Sequence, residues 1–252
     1  MERYYIETSG NDDKAYREAI NFACNYANEK DEKYEIILYA ISKNNVGWLN
    51  RIYDRDTVKL FFNGHQFPDC KSKIKIETRK TLKRYHSSIN RIIIGMGMGS
   101  EDIMILEDIM EVKVIIAIPW LEKDLDKWIK TLQPIEIRGN STPDPFDEPS
   151  CIVKVALSEL TERINISSGL THHMDENLAK TFVRTFHKYN VSAEPDMIEG
   201  YLIKVHKWYA KDANSFAELI RKIQAGKRFK GGDKTGLQYN IKRWKTLCNS
   251  LE

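Results

Sequence analysis

The sequence lacks a long apolar run. Its longest unbroken ones, such as Val114–Trp120, fall far short of the ~20 residues that a membrane-spanning helix needs. Residues 1–7 also lack the apolar region of a secretion signal and instead have a pattern typical of a strand. The sequence therefore predicts a protein with no membrane span and a cytoplasmic location.

Cysteine is scarce. The 252 residues include only four cysteines, which are far apart and share no CxxC spacing: Cys24, Cys70, Cys151 and Cys248. This distribution argues against both a disulfide framework and a zinc knuckle. Neither a metal site nor a cofactor is predicted.

The motifs of the common hydrolytic mechanisms are also missing. The sequence contains no GxSxG nucleophile turn and no HExxH zinc motif. Asp69, Glu77 and Asp102 have the chemistry for metal-assisted phosphodiester hydrolysis if folding brings them together, but scattered carboxylates occur in almost any domain. The sequence alone identifies no catalytic residue.

Strand-like and helix-like segments alternate through residues 1–140. Apolar runs bounded by turn residues predict strands, and apolar positions three and four apart predict helices. The predicted strands are 3–8, 35–41, 58–62, 73–77, 91–96 and 112–118, with an edge strand at 135–137, and the predicted helices are 13–28, 46–53, 78–86, 101–110 and 121–132. This order predicts an α/β fold: a Rossmann-like, doubly wound, mostly parallel sheet of about five main strands.

The character of the chain changes near residue 140. Residues 141–151 have linker composition, with Pro143, Pro145 and Pro149 among polar residues. Only helices are predicted beyond them, at 153–164, 176–189, 195–206, 213–225 and 237–247. We therefore expect a Rossmann-like domain at 1–140, a linker at 141–151 and a small, basic, all-helical domain at 152–252.

Two loops at predicted strand ends have the chemistry of a ligand crevice. Ligands of open parallel sheets bind beyond the carboxyl ends of the strands, where glycines allow close approach and helix N-termini favour anions. The candidate ligand-binding residues are Thr8, Ser9, Gly10 and Asn11 in one loop and Gly95, Gly97, Gly99 and Ser100 in the other.

The second loop also has a simpler interpretation. Its GxGxGS spacing is neither the GxGxxG dinucleotide fingerprint nor the GxxxxGK(S/T) phosphate loop, and no lysine follows it. Glu101 and Asp102, in the first turn of the predicted helix, would repel a phosphate. Glycines that serve only a tight turn and close helix packing remain the alternative.

The C-terminal part of the chain is basic. Residues 201–252 hold twelve Lys and Arg against four Asp and Glu, a charge of +8, and because the whole chain carries +3, the first 200 residues carry −5. The glycine-rich segment 226–236 contains candidate nucleic-acid or anion contacts at Lys227, Arg228, Lys230 and Lys234, and Phe229 or Trp244 has a ring that can stack on a base. A solvated, mobile loop is the alternative.

His172, His173 and Asp175 form the most polar loop of the predicted helical domain. Imidazole and carboxylate groups are usual metal ligands, but adjacent histidines point in different directions and no second cluster supplies further ligands. We expect a helix-connecting loop with Asp175 as the N-cap, and a metal or acid–base role is the alternative.

The predicted plan resembles that of ligand-sensing Rossmann-like domains joined to helical effector domains in prokaryotic regulators and defence systems, a resemblance of architecture without a shared motif. It implies a regulatory module that binds a nucleotide or another phosphorylated small molecule and contacts a nucleic acid or an acidic protein through its helical domain. One alternative is a hydrolase or nuclease acting in the same crevice. Another is an oligomeric scaffold with no small ligand; a homodimer is consistent with the sequence.

Overall fold

The computed structural model describes residues 1–10, 12–82, 89–109, 111–139 and 148–250. The chain divides into two compact units, Met1–Asp144 and Pro145–Glu252, which are called the α/β unit and the helical unit below. No helix within the described ranges combines the length and the apolar composition that crossing a membrane requires.

The α/β unit is built on a sheet of six parallel strands, and the predicted Rossmann-like fold class is confirmed. The strands are β1 (Glu2–Tyr5), β2 (Tyr34–Ala40), β3 (Lys73–Thr78), β4 (Asn90–Met98), β5 (Val112–Pro119) and β6 (Ile135–Glu136). Their order across the sheet is β3-β2-β4-β5-β1-β6.

The central strands are apolar along their whole length because both faces of the sheet are covered. The residues 92–94 of β4 and 114–118 of β5 are fully buried. Parallel strands need crossover connections, which place helices on the faces of the sheet and leave no face for water. This is why the strands appear in the sequence as continuous apolar runs without polar alternation.

The helices of the α/β unit are mostly short. They are α1 (Asp13–Glu29), α2 (Leu49–Ile52), α3 (Arg55–Phe61), α4 (Ser100–Glu107) and α5 (Asp126–Leu132), with a 3₁₀ turn at Lys43–Val46. The helix predicted at 46–53 is thus partly this turn. Of the helix predicted at 78–86, residues 83–88 lie outside the described ranges, and the part from 78 to 82 is the end of β3 followed by a turn.

The strand predicted at 58–62 is wrong, because this segment belongs to α3. Asp54 caps the helix by accepting hydrogen bonds from the backbone N–H groups of Asp56 and Thr57. Val58 and Phe61 are buried at helical spacing. A short apolar run does not distinguish a strand from a helix. Here the capping aspartate favours the helix.

Between residues 148 and 250, the part of the helical unit that the structure describes, there are five α-helices and a 3₁₀ turn at Gly169–Thr171. The α-helices are α6 (Cys151–Arg163), α7 (His173–Lys188), α8 (Pro195–Lys204), α9 (Ala210–Gln224) and α10 (Leu237–Asn249). Phe182 and Phe186 of α7 pack against Trp244 of α10, with ring centroids 4.9 and 5.5 Å from the indole. All three side chains are buried, so the aromatic contact joins the second helix of the unit to the last.

Two sequence-based expectations for this unit are wrong. Asp175 is not an N-cap, because α7 begins two residues earlier and places Asp175 in its first turn, where a carboxylate still favours the helix dipole. Cys151 and Cys248 form a disulfide between the start of α6 and the end of α10, with a Cα–Cα distance of 5.9 Å. Their separation of 97 residues gave no local sign of the pairing.

A buried carboxylate connects three elements of the α/β unit. Glu107, at the end of α4, has a fully buried side chain and accepts hydrogen bonds from Arg3 of β1 at 2.8 and 3.0 Å and from the indole N–H of Trp128 in α5 at 3.0 Å. A buried charge is stable only when it is paired and hydrogen-bonded. Glu107 therefore fixes β1, α4 and α5 in one arrangement.

Replacing Glu107 by alanine is expected to lower the free energy of unfolding of the α/β unit by about 3–5 kcal/mol, because it leaves the nearly buried Arg3 without its counter-charge. Denaturant unfolding, followed by circular dichroism and tryptophan fluorescence, measures the loss. The matched control is Glu101→Ala on the exposed side of the same helix, with an expected cost of at most about 1 kcal/mol. Equal losses in the two variants would contradict this role for Glu107.

Candidate ligand crevice and basic loop

The loops after β1, β4 and β5 meet at the carboxyl edge of the sheet, where β5 lies between the other two strands. The connection from β2 leads to β3 and the connection from β4 leads to β5, so the connections of neighbouring strands diverge between β2 and β4, two strands away from β1. Ligands of open parallel sheets bind beyond the carboxyl ends of the strands. The edge formed by the loops after β1, β4 and β5 holds both candidate loops and is called the candidate crevice.

Trp120 directly follows β5 at the carboxyl edge of the sheet. Its carbonyl accepts a hydrogen bond from the backbone N–H of Gly10 at 2.6 Å, which joins the loop after β1 to the loop after β5. A Cβ atom on Gly97 of β4 would lie 3.6 Å from the Trp120 indole. The side chain nevertheless remains 46% exposed. Trp120 thus presents an indole to solvent where three strand ends meet.

Sequence reasoning missed Trp120 as a site residue and treated it only as the end of a strand. Its position directly after the buried run of β5 was the available signal, because the residues that follow parallel strands line the carboxyl edge. Arg138, directly beyond β6 and Ile137, was missed for the same reason.

Gly97 forms a bulge in β4. The pairing of β4 with β5 shifts register between Met96 and Met98, and Gly97 between them has a φ of +60°, a value that side chains with a Cβ rarely adopt. A β-bulge bends its strand and changes the direction of the residues beyond it. The glycine is therefore required by the backbone at the rim of the crevice.

The loop after β1 is organised by Asp12. Its carboxylate accepts from the N–H groups of Lys14 and Ala15 at 3.0 Å, from the Thr8 hydroxyl at 2.8 Å and from Arg138 at 3.2 Å. Partial burial opposes the charged form, but the hydrogen bonds from Ala15, Thr8 and Arg138 outweigh it and hold the pKa of Asp12 below its ordinary value. Because the Thr8 hydroxyl donates its hydrogen bond to Asp12, its oxygen is left to accept a hydrogen bond from a ligand.

Ser9 and Gly10 remain the more accessible part of this loop. Ser9 is exposed, and Gly10 has a φ of +68° with open space where a Cβ would stand. Asn11, the fourth candidate of this loop, lies outside the described residues.

The three remaining candidates have different roles. Gly95 is buried, and a Cβ there would lie 2.8 Å from the Met98 side chain and 3.2 Å from that of Ile103, so close packing against α4 explains this glycine. Gly99 is the N-cap residue of α4 and makes no side-chain hydrogen bond there. The Ser100 hydroxyl donates to the carbonyl of Asp124 at 2.5 Å and links α4 to the loop after β5.

The charged side chains around the candidate crevice are mostly acidic. Arg138 is the cation beside the loop after β1, and it is paired with Asp12 and, at 2.6 Å, with Glu18. Glu101 and Asp102 add negative charge in the first turn of α4. Electrostatics therefore favours a ligand with few negative charges over a polyphosphate.

The candidate acidic and histidine residues do not assemble a metal site. Within the described ranges, no group of three or more His, Cys, Asp or Glu side chains is placed to hold a metal ion. The rings of His172 and His173 are exposed, with their centroids 6.3 Å apart.

The basic loop, residues 226–236, is held firmly against α7. Arg184 donates to the carbonyls of Phe229 at 2.7 Å and Gly231 at 3.0 Å, and its guanidinium lies 4.6 Å from the centroid of the Phe229 ring. The N–H of Gly232 donates to Asn177 at 3.0 Å. The backbone of this loop is therefore fixed by side chains of the preceding helices.

The four candidate cations project from this fixed loop. Lys227, Arg228, Lys230 and Lys234 are exposed, and none of them forms an ion pair within the described part of the chain. Trp244, in contrast, cannot stack on a base, because its side chain is fully buried and its N–H donates to Glu159 at 2.8 Å. Phe229, the other ring predicted to stack on a base, is partly exposed. The four cations and this ring remain as contacts for an anionic partner.

The helical unit also contains a cavity of about 790 Å³, between α6, α10 and the end of α8. At its wall, His206 Nε2 is buried and has no hydrogen-bond partner among the described residues. Burial lowers the pKa of His206. The cavity has the size of small-molecule sites, and no sequence pattern marks it because its wall comes from three separate helices.

The roles of the glycines can be separated by mutation. Gly95→Ala is expected to lower the free energy of unfolding by about 1–3 kcal/mol, because the new methyl group collides with Met98 and Ile103. Gly47→Ala is the matched control, since a Cβ there meets no atom within 4 Å and the backbone is already helical. Chemical denaturation measures both, and an unchanged stability in Gly95→Ala would contradict the packing role.

A family model matches the helical unit. No curated protein matches the chain. A solution NMR structure of a structural-genomics target protein from Salmonella typhimurium is 20% identical over 41% of this chain and 96% of its own, with a TM-score of 0.32. Residues 149–245 match the model of a domain of unknown function, DUF1889. The helical unit is thus similar in sequence to a family whose own description states no activity.

Proposed function

We propose that the α/β unit binds a nucleotide or a similar phosphorylated small molecule at the crevice, and that the protein acts as a sensor whose helical unit contacts an anionic partner. The observation that carries this proposal is the position of Trp120. Its exposed indole lies beside the bulge glycine Gly97, and its backbone carbonyl accepts a hydrogen bond from Gly10, at the carboxyl edge of the sheet.

Each part of a nucleotide has a matching group in the crevice. An exposed indole offers a stacking surface for a base, and stacking is worth about 1–3 kcal/mol per base. The Ser9 hydroxyl and the first turn of α4, which no side chain caps, supply hydrogen-bond donors for a phosphate. The acidic Glu101 and Asp102 favour a monophosphate or a phosphodiester over a triphosphate.

A sensor needs less from this crevice than an enzyme does. Binding requires stacking, backbone donors and hydroxyl groups, whereas hydrolysis of the ligand also requires an acid, a base or a metal placed at the reacting bond. The groups in the crevice match the first requirement, and we propose the binding function for that reason. Turnover of a bound nucleotide would favour the enzymatic alternative.

A ligand present at a hundred times its dissociation constant is expected to stabilise the protein by ~2.7 kcal/mol. Thermal-shift measurements with nucleoside monophosphates and cyclic dinucleotides test this, with chromatography of the nucleotide to detect turnover. Trp120→Ala is expected to weaken binding by about 1–3 kcal/mol. The matched control is Leu121→Ala, the exposed neighbour, which should bind as the unchanged protein does.

A stabilisation that survives in Trp120→Ala would contradict the proposed crevice. No stabilisation by any nucleotide would favour the scaffold alternative, which size measurements of the purified protein would examine as a homodimer. The cytoplasmic location remains a prediction.

The partner contact of the proposed sensor is the basic loop. Four exposed cations on a fixed backbone can meet several phosphates of one strand with little loss of conformational entropy. The charge of +8 in residues 201–252 attracts such a partner over a longer range. A nucleic acid strand fits this repeated charge, and an acidic protein is the alternative.

Lys227→Ala combined with Lys230→Ala is expected to weaken binding of a labelled single-stranded oligonucleotide and to reduce the slope of log K against log salt by about 1.4. Fluorescence anisotropy over a salt series measures both quantities. Lys242→Ala combined with Lys245→Ala removes the same charge from the exposed face of α10 and serves as the control. Equal effects of the two double variants would show that only net charge matters and would contradict a site at the basic loop.

A further inference from the structure

The four cysteines of the chain form two pairs in space. Cys151 and Cys248 are joined as a disulfide in the helical unit. Cys24 and Cys70 meet in the α/β unit, where their thiols are hydrogen-bonded to each other and remain free. All four are far apart in sequence, so folding alone brings each cysteine to another cysteine.

The second pair is held together by a set of hydrogen bonds one helical turn away. Asn28 lies four residues after Cys24 on the same face of α1. Its side chain donates to the carbonyl of Asp69 at 2.7 Å and accepts from the N–H of Lys71 at 2.8 Å, the two neighbours of Cys70. The Lys71 ammonium group also donates to the Asn28 carbonyl at 2.9 Å. The loop that carries Cys70 is therefore fixed against the helix that carries Cys24.

The environments of the two sulfurs differ. The hydrogen bond from the Cys24 thiol, together with the N–H of Ser72, holds the pKa of Cys70 below its ordinary value despite burial. The same hydrogen bond and burial raise the pKa of Cys24. Cys70 is therefore the sulfur of the pair that ionises first, and the thiolate is the reactive form of cysteine. Cys24 is partly exposed, whereas Cys70 is buried.

We propose that Cys24 and Cys70 are a modification site, at which a peroxide oxidises the two thiols to an intramolecular disulfide, so that each unit of the protein carries its own dithiol–disulfide couple. The fixed position of Cys70 beside α1 and the mutual contact of the sulfurs carry this inference. Cys24 is partly exposed and Cys70 is buried beside it, so the oxidant must be as small as hydrogen peroxide.

The oxidation has two steps. The Cys70 thiolate attacks one oxygen of hydrogen peroxide, the O–O bond breaks, and hydroxide leaves as Cys70 becomes a sulfenic acid. The Cys24 sulfur then attacks the Cys70 sulfur, the S–O bond breaks, and the second oxygen leaves as water with the Cys24 proton. The proton originally lost by Cys70 converts the hydroxide to water, so that two thiols and one peroxide give one disulfide and two waters.

The test uses the full chain, reduced with dithiothreitol, freed of reductant and then treated with a small excess of hydrogen peroxide. Free thiols are blocked with N-ethylmaleimide under denaturing conditions, and the protein is digested and mapped by mass spectrometry. The expected product is a peptide pair linked through Cys24 and Cys70 that dithiothreitol separates again. The melting temperature of the oxidised protein should rise by about 5 °C, because the cross-link restricts the unfolded chain.

Cys24→Ser is the diagnostic variant. Without its partner, Cys70 is expected to stop at the sulfenic acid, which dimedone traps, and no linked peptide forms at this position. Three results in the unchanged protein would overturn the proposal: both thiols remain free, each is oxidised separately to a sulfinic acid, or Cys24 and Cys70 link to other cysteines. These readouts need no ligand and no partner, so they are independent of the proposed sensor function.

Discussion

Parallel pairing of the strands is the constraint on which the α/β unit depends. Adjacent parallel strands cannot be joined by a tight turn, so every connection runs from the carboxyl edge of the sheet back to the amino edge. The loops that leave the strands therefore gather at one edge, whatever their separation in sequence. Gly10 and Trp120 become hydrogen-bonded neighbours for this reason, and the candidate crevice is defined by the strand order rather than by any motif.

In each unit, a carboxylate that accepts hydrogen bonds from arginine and tryptophan side chains holds separate elements together. In the α/β unit, Glu107 accepts hydrogen bonds from an arginine and a tryptophan on two other elements. In the helical unit, Glu159 of α6 accepts from Trp244 at 2.8 Å, from Arg243 and from Arg163. Burial disfavours the charge of Glu159, but the hydrogen bonds from Arg243 and Trp244 outweigh it and keep its pKa low. Such a carboxylate is satisfied only when all its donors are in place, so it favours a single arrangement of the helices.

The glycines of β4 illustrate how one sequence motif divides into separate tasks. Gly95 provides room for α4, Gly97 allows a bulge, and Gly99 begins the helix. Only the last two lie where a ligand would approach. The basic loop has a composition typical of a flexible loop. Its backbone is nevertheless held in place by the side chains of Arg184 and Asn177.

The sequence by itself determined the elements whose signal is local. The continuous apolar runs of β2, β4 and β5 follow from burial of both faces of the sheet, and the three-and-four spacing of the last five helices follows from burial of one helical face. The α/β class followed from the order of these elements. The strand prediction for segment 58–62 failed because the apolar run was too short to show a period. A capping aspartate outside the run favours the helix that forms there.

Only the tertiary structure decided what depends on distant neighbours. The strand order, the position of Trp120 and the two cysteine pairs join residues that no local pattern relates. Trp244 was one of two rings predicted from the sequence to be able to stack on a base, yet it lies in the core beside Glu159. Secondary structure is encoded in the spacing of side chains along the chain, whereas a site arises from the way in which the sheet and the helices bring separate segments together.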